Sequence, residues 1–127
     1  MSSLRERKTK AMGLSTHALD TMRGVPASGM KVSLSRIWPD HVQTLGHWVL
    51  NADGRTDGPL LSTEALEVGC YRLSFSAGDY FRALGRDLAE PLFLDTVILD
   101  FGVSSAKQHY HVPLLISPWS YSTYRGS

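Results

Sequence analysis

Hydrophobic and polar residues alternate in twos along much of the chain, while runs with helical spacing are scarce. That is the pattern of an all-β protein, in which successive side chains face opposite sides of a strand. Val32 and Leu34 alternate with Lys31, Ser33 and Ser35 in a first strand over 31–38, which Pro39 and Asp40 end. A second runs over 45–50 and closes on Asn51-Ala52-Asp53-Gly54, whose Asp-Gly pair suits a tight turn needing positive φ. Asp57-Gly58-Pro59 makes a further turn three residues on. Tyr71, Leu73 and Phe75 alternate with Arg72, Ser74 and Ser76 in another strand. The one short helix predicted follows, over 78–84, stopped at Gly85, with Tyr80 and Phe81 capping the core. Strands at 96–101, 110–116 and 120–124, and short ones near 15–19 and around Leu60, bring the count to about eight, a spacing that predicts a two-sheet sandwich.

Composition narrows the function classes. The 127 residues allow one domain. A chain of this size buries about two-thirds of its unfolded surface, which leaves association with further copies favourable. A hydrophobic fraction of 43% with 20% charged residues argues against disorder, and no run approaches the roughly 18 apolar residues of a membrane span. Lys and Arg number 13 against 12 Asp and Glu, so no net field is available to hold a phosphate backbone. Neither nucleic acid nor membrane is an expected partner. The single cysteine, Cys70, has no partner within the chain, which fits a reducing, cytoplasmic setting; placed in a strand, it reads as core filler. Residues 1–12 carry Arg5, Glu6, Arg7, Lys8 and Lys10 without the apolar stretch of a secretory signal, and are expected to form a disordered basic tail.

Three segments carry candidate chemistry. The first, Leu14-Ser15-Thr16-His17-Ala18-Leu19-Asp20, holds His17, which on its own reads as a structural or surface histidine. The second runs from Asn51 to Leu60 and brackets Arg55 between two glycine turns. Its bland reading is a solvated arginine in a polar hairpin. Its sharper one is a fixed guanidinium that grips a planar, carbonyl-rich ligand through paired donors. The third, Gln108 to Pro118, places His109 and His111 two residues apart and so on one face of a strand. With His17 they could make a zinc site, although His-x-His is a weak signal. The chain end, Tyr121-Ser122-Thr123-Tyr124-Arg125-Gly126-Ser127, lacks the composition of a frayed terminus and is expected to be docked.

Together LSTHALD (14–20), NADGRTDGPLL (51–61), HYHVPLLISP (109–118) and YRGS (124–127) resemble the 5-hydroxyisourate hydrolases, the transthyretin-related family. The terminal YRGS after SPWSYST is the most specific of these matches. The resemblance covers 13–127, read as one transthyretin-like hydrolase domain, with the tail outside it. It departs at Ala18, where Val is usual, and over 90–96, which lacks the common aromatic-Pro run. The resemblance implies a sandwich of two four-stranded sheets with one short helix. It also implies a homotetramer, a dimer of dimers with active sites at the dimer-dimer interface along a central channel; Trp119 and Tyr121 then suit either the core or such an interface. His17, Arg55 and His111 fall on the family's catalytic positions, His109 on a neighbouring pocket histidine, and Tyr124, Arg125, Gly126 and Ser127 on the segment lining the site. The implied reaction, without cofactor or metal, is hydrolysis of 5-hydroxyisourate to 5-hydroxy-2-oxo-4-ureido-2,5-dihydro-1H-imidazole-5-carboxylate in urate degradation toward allantoin. A non-enzymatic small-ligand carrier of the same fold is the alternative, and a zinc-dependent hydrolase or a plain β-sandwich interaction module stand behind it.

Overall fold

The computed structural model describes residues 12–85 and 87–126. The expected tail at 1–12, Met12 apart, and Ser127 lie outside them. Among the described residues the order is β1 (Leu14–Asp20), β2 (Val25–Pro26), β3 (Lys31–Ile37), β4 (Val42–Val49), β5 (Gly69–Ser76), α1 (Ala77–Ala83), β6 (Thr96–Val103), β7 (Tyr110–Ile116) and β8 (Tyr121–Ser122). They form two four-stranded sheets, β2-β1-β7-β8 and β4-β3-β5-β6, the sandwich with one short helix that the sequence predicts. β1 and β7 run parallel, and every other pairing is antiparallel.

Alternation decides which faces meet. Leu14, Ala18, Val112, Leu114 and Ile116 of the first sheet pack on Val32, Leu34, Tyr71, Leu73, Phe75 and Val97 of the second, all buried. Each of the Val, Leu, Ile and Phe side chains among them contributes roughly 1.5–3 kcal/mol relative to leaving it exposed. The odd-numbered residues of β1 and β7 face outward, and the site is built on them. α1 closes one end of the core through Tyr80 and Phe81, whose rings meet edge to face at 5.0 Å.

Several details depart from the sequence-based expectation. β4 begins at Val42, three residues early, because a bulge opposite the step from Leu34 to Ser35 interrupts the alternation by which a strand is read. Around Leu60 there is no strand, only a bridge between Leu14 and Leu61. The extra edge strand is β2, where Pro26 pairs with Leu19 in a segment that reads as a turn; an edge tolerates the missing N–H of proline. The last strand shrinks to Tyr121–Ser122. Trp119 and Tyr121 are 60% and 45% exposed, so neither belongs to the core. Cys70 is exposed as well, because Tyr71, Leu73 and Phe75 take the inward positions of β5 and leave its neighbours facing out. No helix among the described residues is long and apolar enough to cross a membrane.

One buried charge ties the first sheet to the helix. Asp20, at the end of β1, is fully buried and accepts hydrogen bonds from the Arg23 backbone N–H at 3.0 Å, Arg23 Nε at 2.9 Å and the Tyr80 hydroxyl at 2.8 Å. Burial pushes its carboxyl up, but these donors together hold it below the usual carboxylate value. Asp20→Ala is expected to cost about 2–3 kcal/mol in chemical denaturation, less than a fully enclosed pair, because Arg23 is one-third exposed and can turn to water. With the folded value depressed, the carboxylate's contribution is present above the unfolded value and is lost as pH falls through the folded one. The acid limb of wild-type stability is therefore expected to flatten in that variant.

Candidate active site

The parallel ladder sets the site. β1 and β7 pair with Ser15 opposite His111 and His17 opposite Pro113. Period-two geometry then puts Ser15, His17, His111 and, one residue before β7, His109 on the outer face. From the inner face the Thr16 hydroxyl donates to the Val112 carbonyl at 2.7 Å and fixes the two strands to each other. Ser15 Oγ lies 2.8 Å from His111 Nδ1 and 3.1 Å from His109 Nε2, so the two imidazoles share one hydroxyl, with ring centroids 6.5 Å apart.

Arg55 arrives on a turn built around Asn51. The Asn51 side-chain carbonyl accepts from the backbone N–H groups of Asp53 at 2.9 Å and Arg55 at 3.1 Å, and its amide donates to Asp57 at 3.1 Å. The Asn51 N–H donates to the Arg55 carbonyl at 2.8 Å, and that of Gly54 to the Asn51 carbonyl at 2.9 Å. Gly54 takes φ +73°, and a Cβ there would sit 2.5 Å from the Ala18 carbonyl oxygen, which accounts for the glycine. The close approach lets the Ala18 N–H donate to the Gly54 carbonyl at 2.9 Å and bridges Arg55 to His17. The first expected glycine turn thus fixes Arg55. Gly58 of the second does not take a positive φ.

The chain end is docked on the other side of His111. The His111 N–H donates to the Gly126 carbonyl at 3.2 Å, and the Gly126 N–H to the His111 carbonyl at 2.7 Å. A Cβ on Gly126 would lie 3.1 Å from His111 Cδ2, so the glycine allows the terminal segment to lie against the imidazole. The Thr123 hydroxyl donates to the Pro113 carbonyl at 2.6 Å. Arg125 stacks 4.2 Å over the Tyr110 ring and donates to Gln108 Oε1 at 2.9 Å. With Tyr124 it lines a groove of about 440 Å³ shared with β6.

Of the residues singled out by sequence, then, His17, Arg55, His109, His111 and Gly126 come together, whereas the Tyr124 and Arg125 side chains turn toward the β6 groove. The sequence reading assigned no part to Ser15 or Asn51. Ser15 was legible as lying on the face of His17, two residues away, but no local pattern names its partners on β7.

Electrostatics favour neutral imidazoles. His17 is held below its ordinary value, first by burial and then by the Arg55 charge, while the Asp53 backbone carbonyl, accepting from the ring, and the Asp53 charge act in the opposite direction. His111 is lowered by burial, then by Arg55, His109 and His17. Two such rings keep a free lone pair near neutral pH. Among the described residues no group of three His, Cys, Asp or Glu side chains is arranged to hold a metal, and Ser15 Oγ occupies His111 Nδ1 and His109 Nε2.

A profile described as the HIUase/transthyretin family matches residues 14–126. The chain belongs to that family. It is 53% identical over 114 residues to the 5-hydroxyisourate hydrolase of Pseudomonas aeruginosa, covering 90% of each chain. The solved 5-hydroxyisourate hydrolase of Klebsiella pneumoniae superposes with a TM-score of 0.72 at 39% identity, over 90% of this chain and 98% of that one. The solved (S)-allantoin synthase superposes with a TM-score of 0.86 at 44% identity over 95% of this chain. This chain spans only 46% of that one.

Arg55→Gln is expected to raise the values of both His17 and His111 without restoring the ordinary 6.5, because burial remains; ring-proton NMR titration reads this directly. Since folding depresses both rings, their contribution to stability is present above about 6.5 and is lost as pH falls through the folded values, a dependence that Arg55→Gln makes shallower. Gly126→Ala is expected to displace the terminal segment or the His111 ring by a few tenths of an ångström, lowering turnover by about threefold to tenfold with little change in thermal stability.

Proposed function

We propose that this chain hydrolyses 5-hydroxyisourate, opening its six-membered ring to the ureido-imidazoline carboxylate on the route to allantoin. The observation that carries the reading is the meeting, on one sheet face, of two imidazoles kept neutral by burial and by a neighbouring guanidinium that a self-bonded turn holds in place. Identity to hydrolases over nearly the whole chain supports it.

In this mechanism His17 and His111 orient and deprotonate a water that attacks a lactam carbonyl. The proton then passes to the leaving nitrogen as the C–N bond breaks. General acid–base work of this kind contributes about a hundredfold to ten-thousandfold. Arg55 grips the substrate carbonyls and stabilises the oxyanion, an interaction on the order of 3 kcal/mol. His109 and Gly126 complete and shape the pocket, Gly126 against the His111 ring, with Arg125 anchoring the terminal segment from the β6 side and no metal or cofactor taking part. A carrier for apolar ligands would need this face to be apolar, whereas His17, Arg55 and His111 make it cationic and hydrogen-bonding.

In solution we place the chain in a cytoplasmic homotetramer, a dimer of dimers whose channel the β1 and β7 face lines. The exposed Trp119 and Tyr121 supply apolar surface for the subunit contacts.

The test generates 5-hydroxyisourate in situ from urate with a urate oxidase and follows its ultraviolet decay. The wild type is expected to accelerate the decay by orders of magnitude over the spontaneous rate, and His17→Ala, Arg55→Ala and His111→Ala, each folded, to lose at least about a hundredfold of that. Decay at the spontaneous rate with folded wild type would remove the hydrolase reading and leave the carrier.

A further inference from the structure

Ser15 lies between two rings that the proposed reaction uses unequally. Its side chain is buried, at 7% exposure, and its hydroxyl contacts His111 Nδ1 at 2.8 Å and His109 Nε2 at 3.1 Å. A serine hydroxyl has one proton and two lone pairs. It can donate to only one of the rings, and the other ring must donate to it, or a buried polar atom is left without a partner.

Two arrangements satisfy all three atoms when both rings are neutral. In the first, His111 Nδ1–H donates to Ser15 Oγ, whose proton goes to His109 Nε2, and His111 keeps a lone pair on its remaining nitrogen, Nε2. In the second the chain runs backwards, and His111 Nε2 carries a proton and is useless as a base.

Two features select the first arrangement. Arg55, whose charge acts on His111, has donors and no acceptor, so a lone pair turned toward the pocket is stabilised there and an N–H is not. An imidazolium must also donate from Nδ1, so the first arrangement alone accommodates His111 before and after it takes a proton, without any reorientation of Ser15.

Building on the hydrolase reading, we propose that Ser15 is a positioning residue for the reaction which, backed by His109, holds His111 in the Nδ1–H tautomer and so leaves Nε2 free to take the proton of the attacking water. As the water oxygen bonds to the carbonyl carbon, the C=O π pair moves onto the carbonyl oxygen, giving the oxyanion that Arg55 stabilises, and the water proton passes to Nε2; the oxyanion's pair then re-forms the C=O bond as the C–N bond breaks. The resulting imidazolium keeps Nδ1–H on Ser15. When the C–N bond breaks, Nε2 returns the proton to the leaving nitrogen and the ring is restored. On this assignment His109 acts through Ser15 as the acceptor that sets the direction of the chain.

The test combines ¹⁵N NMR of the ring nitrogens in the full-length protein with the decay assay. Wild-type His111 is expected in the Nδ1–H form. Ser15→Ala should shift it toward Nε2–H, the form an unconstrained histidine favours, and lower kcat by about ten- to a hundredfold with less than about a threefold change in KM. Ser15→Thr, which keeps a hydroxyl, should preserve the tautomer and most of kcat. His109→Phe removes the acceptor, so the Ser15 proton should turn to His111 Nδ1 and give the same Nε2–H signature and loss as Ser15→Ala; because the three groups act as one chain, the double variant should be little worse than either alone.

A wild-type His111 already in the Nε2–H form overturns the proposal and needs no variant to show it. So does a Ser15→Ala protein with unchanged tautomer and kcat. If the wild type fails to accelerate the decay while His111 is Nδ1–H, the hydrolase reading fails and the tautomer assignment survives, so the two failures are separable.

Discussion

The parallel pairing of β1 with β7 is the constraint on which the rest of the structure depends. Its register runs from Leu14 opposite Tyr110 to Asp20 opposite Ile116. Parallel neighbours cannot be joined by a tight hairpin, so most of the chain between them serves as the crossover, and the whole second sheet lies within it. The register also has no slack. A slip by one residue in β7 would turn His111 into the core and bring Val112 out, because every side chain changes face at once. The same alternation that buries Val112, Leu114 and Ile116 therefore presents the imidazoles, and selection for a packed core is also selection for the site.

Each proposed functional group is held by a different structural device. His17 is carried on a strand paired on both sides, with β2 and β7. Arg55, a long and flexible side chain, is fixed at its backbone by the Asn51 turn and the bridge to His17, which lowers the entropy lost when its donors engage a ligand. The His111 backbone is paired with β1 on one side and with Gly126 on the other. Such anchoring is what preorganised electrostatic stabilisation requires, since donors and bases already in place need not reorganise as charge develops.

The sequence disclosed faces more readily than neighbours. Alternation located most strands and separated inward from outward residues, so the shared face of His109 and His111 was legible. Partners were not, because β1 and β7 lie about 95 residues apart and periodicity carries no information about which strands meet. Local irregularity hid other features. The bulge at Leu34 and Ser35 masked the start of β4, and β2 contains a proline. Cys70 misled because hydrophobic character predicts burial only where the strand geometry turns the residue inward, and the exposure of Trp119 and Tyr121 decides against the core of the two readings they left open. For His17, Arg55 and His111, composition and spacing left the ordinary structural readings ahead, and it was the joint match of four separated segments to a family that marked them. Ser15 belonged to one of those segments, yet its importance rests on a pair of hydrogen bonds across the ladder that no local pattern encodes.

The docked terminus shows how a weak element can support a demanding geometry. A chain end with only a two-residue final strand should fray, yet this one is tied down by contacts of different kinds: the Thr123 hydroxyl on the Pro113 carbonyl, the Arg125 guanidinium over Tyr110 and on Gln108, and the two backbone bonds between Gly126 and His111. The Arg125 contacts lie on the β6 side of β7, so the terminus straddles that strand, with its anchor on one side and Gly126 against the imidazole on the other. The residue that grips is thus separate from the residue that meets the ring. Arg125 can supply attraction without placing a second guanidinium beside His111, where its charge would add to that of Arg55 and further disfavour the imidazolium the mechanism must form. Gly126, lacking a side chain, can close on the ring without displacing it.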